Sequence, residues 1–144
     1  MDEAERIRRA YARRQEEGKG VLSEYSQPAE LLLVQQRERA LLGYLKRFGM
    51  MPLHDRRVLD VGCGSGGPLR RFVDYGALPE NLYGMDLLED KIAEARRLQP
   101  NLHLTWGNAE KLPYQDAFFD IVFQFTVFTS ILDAAMKKNL AREM

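Results

Sequence analysis

Two carboxylates and a glycine-rich turn carry the chemistry that this sequence can be expected to perform. The stretch Arg57-Val58-Leu59-Asp60-Val61-Gly62-Cys63-Gly64-Ser65-Gly66-Gly67-Pro68 is an apolar strand that runs into a tight turn and then a helix. Such a strand-turn-helix unit brings backbone N–H groups close to a ligand at the helix N-terminus. Gly62 lacks a side chain that would hold the ligand away, and Pro68 suits a first helical turn. The second carboxylate, Asp86, closes the apolar segment Leu82-Tyr83-Gly84-Met85, about 20 residues beyond the turn. At that distance an acidic side chain reaches a ribose diol. The pattern is that of a nucleotide-like cofactor site.

The glycines alone leave two cofactor classes open. Gly62, Gly64 and Gly66 spell G-x-G-x-G, whereas Gly62, Gly64 and Gly67 spell the G-x-G-x-x-G of dinucleotide folds. Asp60 separates them. A carboxylate two residues before the first glycine would repel a pyrophosphate resting on the turn. It would favour S-adenosylmethionine, which carries an ammonium and a sulfonium and no phosphate.

Four segments then resemble the class I S-adenosylmethionine-dependent methyltransferases, in particular small-molecule members of the type-11 group. They are Val58-Leu59-Asp60-Val61-Gly62-Cys63-Gly64-Ser65-Gly66, Leu82-Tyr83-Gly84-Met85-Asp86, Gly107-Asn108-Ala109-Glu110-Lys111-Leu112-Pro113-Tyr114 and Phe119-Asp120-Ile121-Val122. The resemblance implies that Gly62 and Gly64 pack against the methionine part, that Asp86 holds the ribose hydroxyls, and that Asn108 with Ala109 meets the adenine edge. Cofactor contacts are also expected at Asp60, Cys63, Gly66 and Leu87, and S-adenosylhomocysteine is the expected product. Glu110 reads equally as an adenosine contact or an exposed loop carboxylate, and Gln124 and Thr126, at the carboxyl end of the fourth strand, read equally as cofactor contacts or strand-end packing. The family often carries Asp where this chain has Asn108. An amide oxygen still accepts from the adenine amino group, so weakened recognition is expected. No residue is singled out as catalytic, and the acceptor is expected to be a small molecule.

The elements that must hold these residues form an α/β, Rossmann-like, doubly wound and mainly parallel sheet behind a helical N-terminal extension. Short apolar strands are expected at about 57–61, 82–85, 102–106 and 119–125, each buried on both faces. Helices are expected at 69–75 and 89–98. Leu132, Met136, Leu140 and Met144 recur every four residues, as in a helix with a buried stripe. Only about four of the seven strands of the resembled fold can be counted, so a truncated chain or a fragment is expected. The fourth strand would then be an unprotected apolar edge, open to self-association with Phe123 and Phe125 in or near the contact.

The domain boundary is placed at 56/57, between a helical extension or lid and the cofactor-binding domain. Within the extension, residues 29–48 form the stronger helix, with Leu32, Leu33, Gln36, Ala40, Leu41 and Leu45 along one side and Ser26 as candidate cap. Residues 2–17 are mostly charged, and Gly18-Lys19-Gly20 breaks the chain after them. Tyr11 and Tyr25 read either as lid residues or as aromatics packing helix to sheet.

Composition narrows the classes further. The chain of 144 residues has 21 basic and 21 acidic side chains, a balance that gives no reason to expect nucleic acid or an anionic membrane as partner. Residues 2–17 are dense in charge, and Asp120, Gln124 and Thr126 interrupt the longest apolar run, so neither a signal peptide nor a membrane span is expected. The single Cys63 excludes an intramolecular disulfide and fits a reducing, cytoplasmic setting. That thiol reads either as reactive near a helix N-terminus or as a residue small enough for the turn. His54 and His103 lack partners at ligand spacing, so no metal is expected. Thr129, Ser130 and Asp133 read as helix caps at least as well as catalytic groups. The weighed alternatives are a nicotinamide- or flavin-dependent oxidoreductase, fitting Gly62, Gly64, Gly67 and Asp86, and a non-catalytic cofactor-binding module.

Overall fold

The protein is described by a computed structural model that covers residues 2–17 and 27–144. Ser26, Tyr25 and the Gly18–Gly20 break lie outside the described residues. The elements are α1 (Glu3–Glu16), α2 (Pro28–Arg47), β1 (Val58–Val61), α3 (Gly67–Asp74), β2 (Leu82–Asp86), α4 (Glu89–Leu98), β3 (His103–Trp106), β4 (Ile121–Phe123), α5 (Val127–Ser130) and α6 (Ala134–Glu143).

Four parallel strands lie in the order β3-β2-β1-β4, the α/β arrangement expected from the sequence. Both α3 and α4 follow parallel crossovers, as βαβ connection requires. In the register Leu59 pairs Tyr83, Asp60 pairs Gly84 and also Phe123, and Gly84 pairs Leu104. All four residues of β1 are buried, which places this strand at the centre of the sheet. Phe72 of α3 stacks on Phe123 of β4 with centroids 5.0 Å apart. Leu69, Phe72, Leu82 and Ile92 complete the core between helices and sheet. Gly84 is small for a packing reason. A Cβ there would lie 2.8 Å from Cys63 Sγ and 2.9 Å from Leu104 Cδ2.

Strand four is shorter than the expected 119–125 because its flanking residues are engaged elsewhere. Phe119 joins Tyr83, Tyr114 and Phe118 in an aromatic cluster, with the Arg57 guanidinium 4.4 Å from the Phe118 ring centroid. The Asp120 carboxylate accepts from the backbone N–H of Arg57 at 2.8 Å, and Gln124 turns to cap α5. Asp133 caps α6 by accepting from Met136 N at 2.7 Å. Met136 and Leu140 are buried as expected, whereas Leu132 lies before the helix and is exposed.

The described chain divides into two compact units, residues 1–8 with 52–144, and residues 9–51. In the first, the opening turn of α1 is clamped to the segment after α5. Glu3 Oε1 accepts from Leu132 N at 2.5 Å, and Arg6 Nη2 donates to Ser130 O at 2.6 Å. Arg6 also grips Glu3 with two bonds of 2.8 Å, which holds the Glu3 carboxyl down at about 2. In the second unit, the buried residues of α2 are Val34 and Leu45. Leu32 and Leu33, expected on the same side, are exposed. Val34 and Leu45 are eleven apart, a helical repeat that leaves Leu32 and Leu33 on other faces.

Candidate cofactor site

The carboxyl ends of β1, β2, β3 and β4 converge, and the candidate residues sit on the turns that leave them. The turn after β1 is left-handed at Gly62 (φ 77), where the backbone N–H groups of Gly62 and Cys63 both donate to Met85 O, at 2.7 and 3.1 Å. That fork ties the glycine turn to the last residues of β2. Gly64 N then donates to Asp86 Oδ2 at 2.8 Å, while Leu88 N donates to Asp86 Oδ1 at 2.9 Å. Thus Asp86 and Leu87 are brought directly beside Gly62, Cys63, Gly64 and Gly66. Burial pushes the Asp86 carboxyl above its ordinary range, and the two backbone N–H groups oppose that rise. Each carboxylate oxygen accepts more than one hydrogen bond, so both keep capacity for a hydroxyl.

Asp60 lies inside β1 at 2% exposure, between Gly84 and Phe123 in register. A carboxylate so deep in a sheet is costly unless charge or hydrogen bonding compensates it. Cys63 faces the opposite situation from a reactive thiol. Its side chain is buried against Gly84, and desolvation together with the negative charges of Asp60 and Asp86 pushes the thiol well up. The small-residue reading of Cys63 matches this placement.

The third turn leaves β3. Gly107 N donates to Asp86 O at 2.9 Å, which sets Asn108, Ala109 and Glu110 next to the β2 end. Asn108 and Glu110 bond each other: Glu110 N donates to Asn108 Oδ1, and Asn108 Nδ2 to Glu110 Oε2, both at 3.0 Å. Asn139 of α6 donates to the other Glu110 oxygen at 3.0 Å. Glu110 is therefore a fixed carboxylate, where the sequence left it open between an adenosine contact and an exposed loop.

At the end of β4, Gln124 Oε1 accepts from Val127 N at 2.8 Å, and Thr126 is exposed with φ 65 and ψ 2. Three residues of this neighbourhood escaped the sequence reading. Val127 packs where a Gly62 side chain would be, since a Cβ there would collide with Val127 Cγ2. Trp106 is half-exposed at the end of β3 and donates its indole N–H to Leu87 O at 3.2 Å. Asn139 reaches Glu110 from 29 residues away. Only Trp106 had a local signal, as the last residue of a strand before Gly107.

His54 lies beside Asp55 at 2.7 Å, and His103 stacks on Tyr83 with its Nε2 3.0 Å from Glu80 O. Neither approaches the turns just described. No helix among the described residues is long and apolar enough to cross a membrane.

A family model described as "Methyltransferase domain" matches residues 58–144. Over 67 residues the chain is 40% identical to the malonyl-[acyl-carrier protein] O-methyltransferase of Enterobacter lignolyticus (strain SCF1), covering 46% of this chain and 26% of that protein. Its fold is similar to that of the PH0226 protein from Pyrococcus horikoshii OT3, with TM-score 0.53, 28% identity and coverage of 75% of this chain and 51% of that one. An S-adenosylmethionine-dependent methyltransferase from Mesorhizobium loti gives TM-score 0.52 at 25% identity, over 67% of this chain and 45% of that one. The chain spans about a quarter to a third of the length of the first curated relatives it matches. The family model covers more than half of the chain and takes in every one of the turns that gather around Asp86. This chain belongs to the methyltransferase domain family, whose cofactor is S-adenosylmethionine.

Proposed function

We propose that this chain supplies the donor half of a methyl transfer from S-adenosylmethionine to a small-molecule acceptor. The observation that carries the reading is the junction of the glycine turn with Asp86, two backbone N–H groups holding one half-buried carboxylate at the end of β2. That carboxylate is oriented before any ligand arrives and keeps acceptor capacity for two ribose hydroxyls.

The remaining residues take roles that follow from their chemistry. Asp60 puts negative charge beneath the turn, where it favours an ammonium or a sulfonium. Gly62, Gly64 and Gly66 let the backbone approach the ligand. Leu87 and Ala109 offer apolar contact, and Asn108 and Glu110 offer acceptors to an adenine amino group. Gln124 holds the segment that follows β4. When bound, the cofactor supplies a methyl group already activated by its positive sulfur, so positioning and exclusion of water are the main tasks left to the protein. No side chain of this chain is assigned as a general base.

Two further features belong to this reading. Among the described residues β4 lies at the edge of the sheet, and an edge strand favours pairing with another strand, in a second copy or in further residues of a longer chain. A single buried thiol favours a reducing, cytoplasmic setting.

Calorimetric titration with S-adenosylmethionine and with NADH, side by side, tests the proposal. The chain should bind the first and not the second. Asp60→Asn should weaken S-adenosylmethionine by roughly tenfold, the size of a lost charge-assisted interaction. NADH binding that tightens in the Asn variant would overturn the reading, because removing negative charge beside a pyrophosphate helps only a dinucleotide.

A further inference from the structure

Val127 and Thr126 together describe something that a fixed wall of a binding site does not need. Gly62 has no side chain, and the space that one would fill is taken by Val127 Cγ2. Thr126, just before it, holds φ 65 and ψ 2. A β-branched residue in the left-handed region is a genuine outlier, and such strain clusters at active sites, ligand clamps and switch regions.

What holds Thr126 there is local and exchangeable. Its carbonyl accepts from Thr129 Oγ1 at 2.6 Å and from Ser130 Oγ at 3.3 Å, and Gln124 Oε1 holds Val127 N. The other end of the segment is fastened firmly. Ser130 O, Leu132 N and Asp133 N are all held by the Arg6–Glu3 pair of α1. One end is anchored and the other is strained. That is the construction of a flap with a single hinge.

We propose that Thr126–Ser130 is a gate over the methionine end of the cofactor site, with Val127 as its plug over Gly62 and Thr126 as its hinge. The inference rests on the reading of the Gly62 turn as the methionine side. Closure places Val127 on the turn, and the backbone strain at Thr126 favours release. The two residues therefore act with opposite signs. Shortening the plug opens the way, whereas removing the strain keeps the gate shut. Adenosine, which has no methionine end, bypasses both effects.

Stopped-flow binding of S-adenosylhomocysteine and of adenosine, followed through the fluorescence of Trp106, reads this directly, since Trp106 is the sole tryptophan and bonds to Leu87. Val127→Ala should speed association of S-adenosylhomocysteine by roughly tenfold. Thr126→Gly should slow it several-fold, as the competent population shrinks. Neither should change adenosine. Rates that stay unchanged, that shift alike for both ligands, or that move in the same direction in both variants would overturn the gate. Wild-type protein that binds adenosine but not S-adenosylhomocysteine, with both variants behaving the same, would overturn it too. Wild-type protein that binds neither ligand would overturn the cofactor reading and the gate with it. Should Val127→Ala fail to fold, Thr126→Gly carries the test, because glycine adopts this backbone conformation freely.

Discussion

The turns after β1 and after β4 lie side by side at the carboxyl ends of neighbouring strands, and both require left-handed backbone. After β1 that conformation falls on Gly62, where it costs nothing sterically. After β4 it falls on Thr126, where a left-handed β-branched residue costs on the order of 1–3 kcal/mol. The first turn is also tied down from outside, by Met85 O and by the Asp86 carboxylate. The second is held by hydroxyls and an amide within its own segment. The glycine turn stores no steric strain that movement would release. A turn built on threonine keeps a reason to move.

The sharpest way to break this comparison is to put a side chain on the first turn. Gly62→Ala combines left-handed strain with a collision against Val127, and should cost about 2–5 kcal/mol. A thermal melt should fall by roughly 5–15 °C for a chain of this size. Adding Val127→Ala to that variant should restore part of the loss, and a double-mutant cycle measures how much of the cost is the collision. Losses that simply add would mean that the two turns do not touch.

A smaller effect tests the strain from the other side. Ala117 is also left-handed, with φ 59, in the loop before β4 and away from the glycine turn. Ala117→Gly should raise stability by about 0.5–1 kcal/mol, the left-handed penalty less the entropy of an added glycine. Cofactor affinity should not change. If Ala117→Gly altered binding as much as Thr126→Gly, strain at Thr126 would have no special connection to the site.

The weakest effect concerns the anchor of the β4 segment. The Arg6 guanidinium and the backbone N–H groups of Leu132 and Asp133 hold the Glu3 carboxyl at about 2, below its ordinary 4.5. The stabilisation from a depressed carboxyl is fully present above the unfolded value and is lost as pH falls through the folded one. Amide exchange at Leu132 should therefore accelerate, relative to neighbouring amides, as pH drops from about 4.5 toward 2. A Glu3→Gln variant should show the faster exchange at every pH.

Which turns would meet at the candidate site was legible in the sequence, because the strand ends that carry them are determined locally. The Gly62 turn, Asp86 and the Asn108–Glu110 loop each sit at a strand end, and strand ends follow from short apolar runs bounded by glycine. Asp133 as the cap of α6 was readable for the same reason. Contacts between distant segments were not. Val127 over Gly62, Asn139 on Glu110, and Glu3 on Leu132 join residues 65, 29 and 129 positions apart, and no local pattern announces them. The short α5 was hidden inside an apolar run that reads equally well as strand. The limits of strand four were missed because Phe119 is drawn into an aromatic cluster that involves Tyr83, 36 positions earlier.

The role of Asp86 is the claim on which the rest depends. Calorimetry of S-adenosylhomocysteine binding to the wild-type chain and to Asp86→Ala tests it most directly. Loss of a charge-assisted hydrogen bond costs about 1.5–3 kcal/mol, so the variant should bind roughly ten- to a hundredfold more weakly while remaining folded. Lowering the pH should weaken the wild-type chain progressively as the raised Asp86 carboxyl becomes protonated, and should leave the variant comparatively unaffected. Equal affinity for the two proteins would contradict the account.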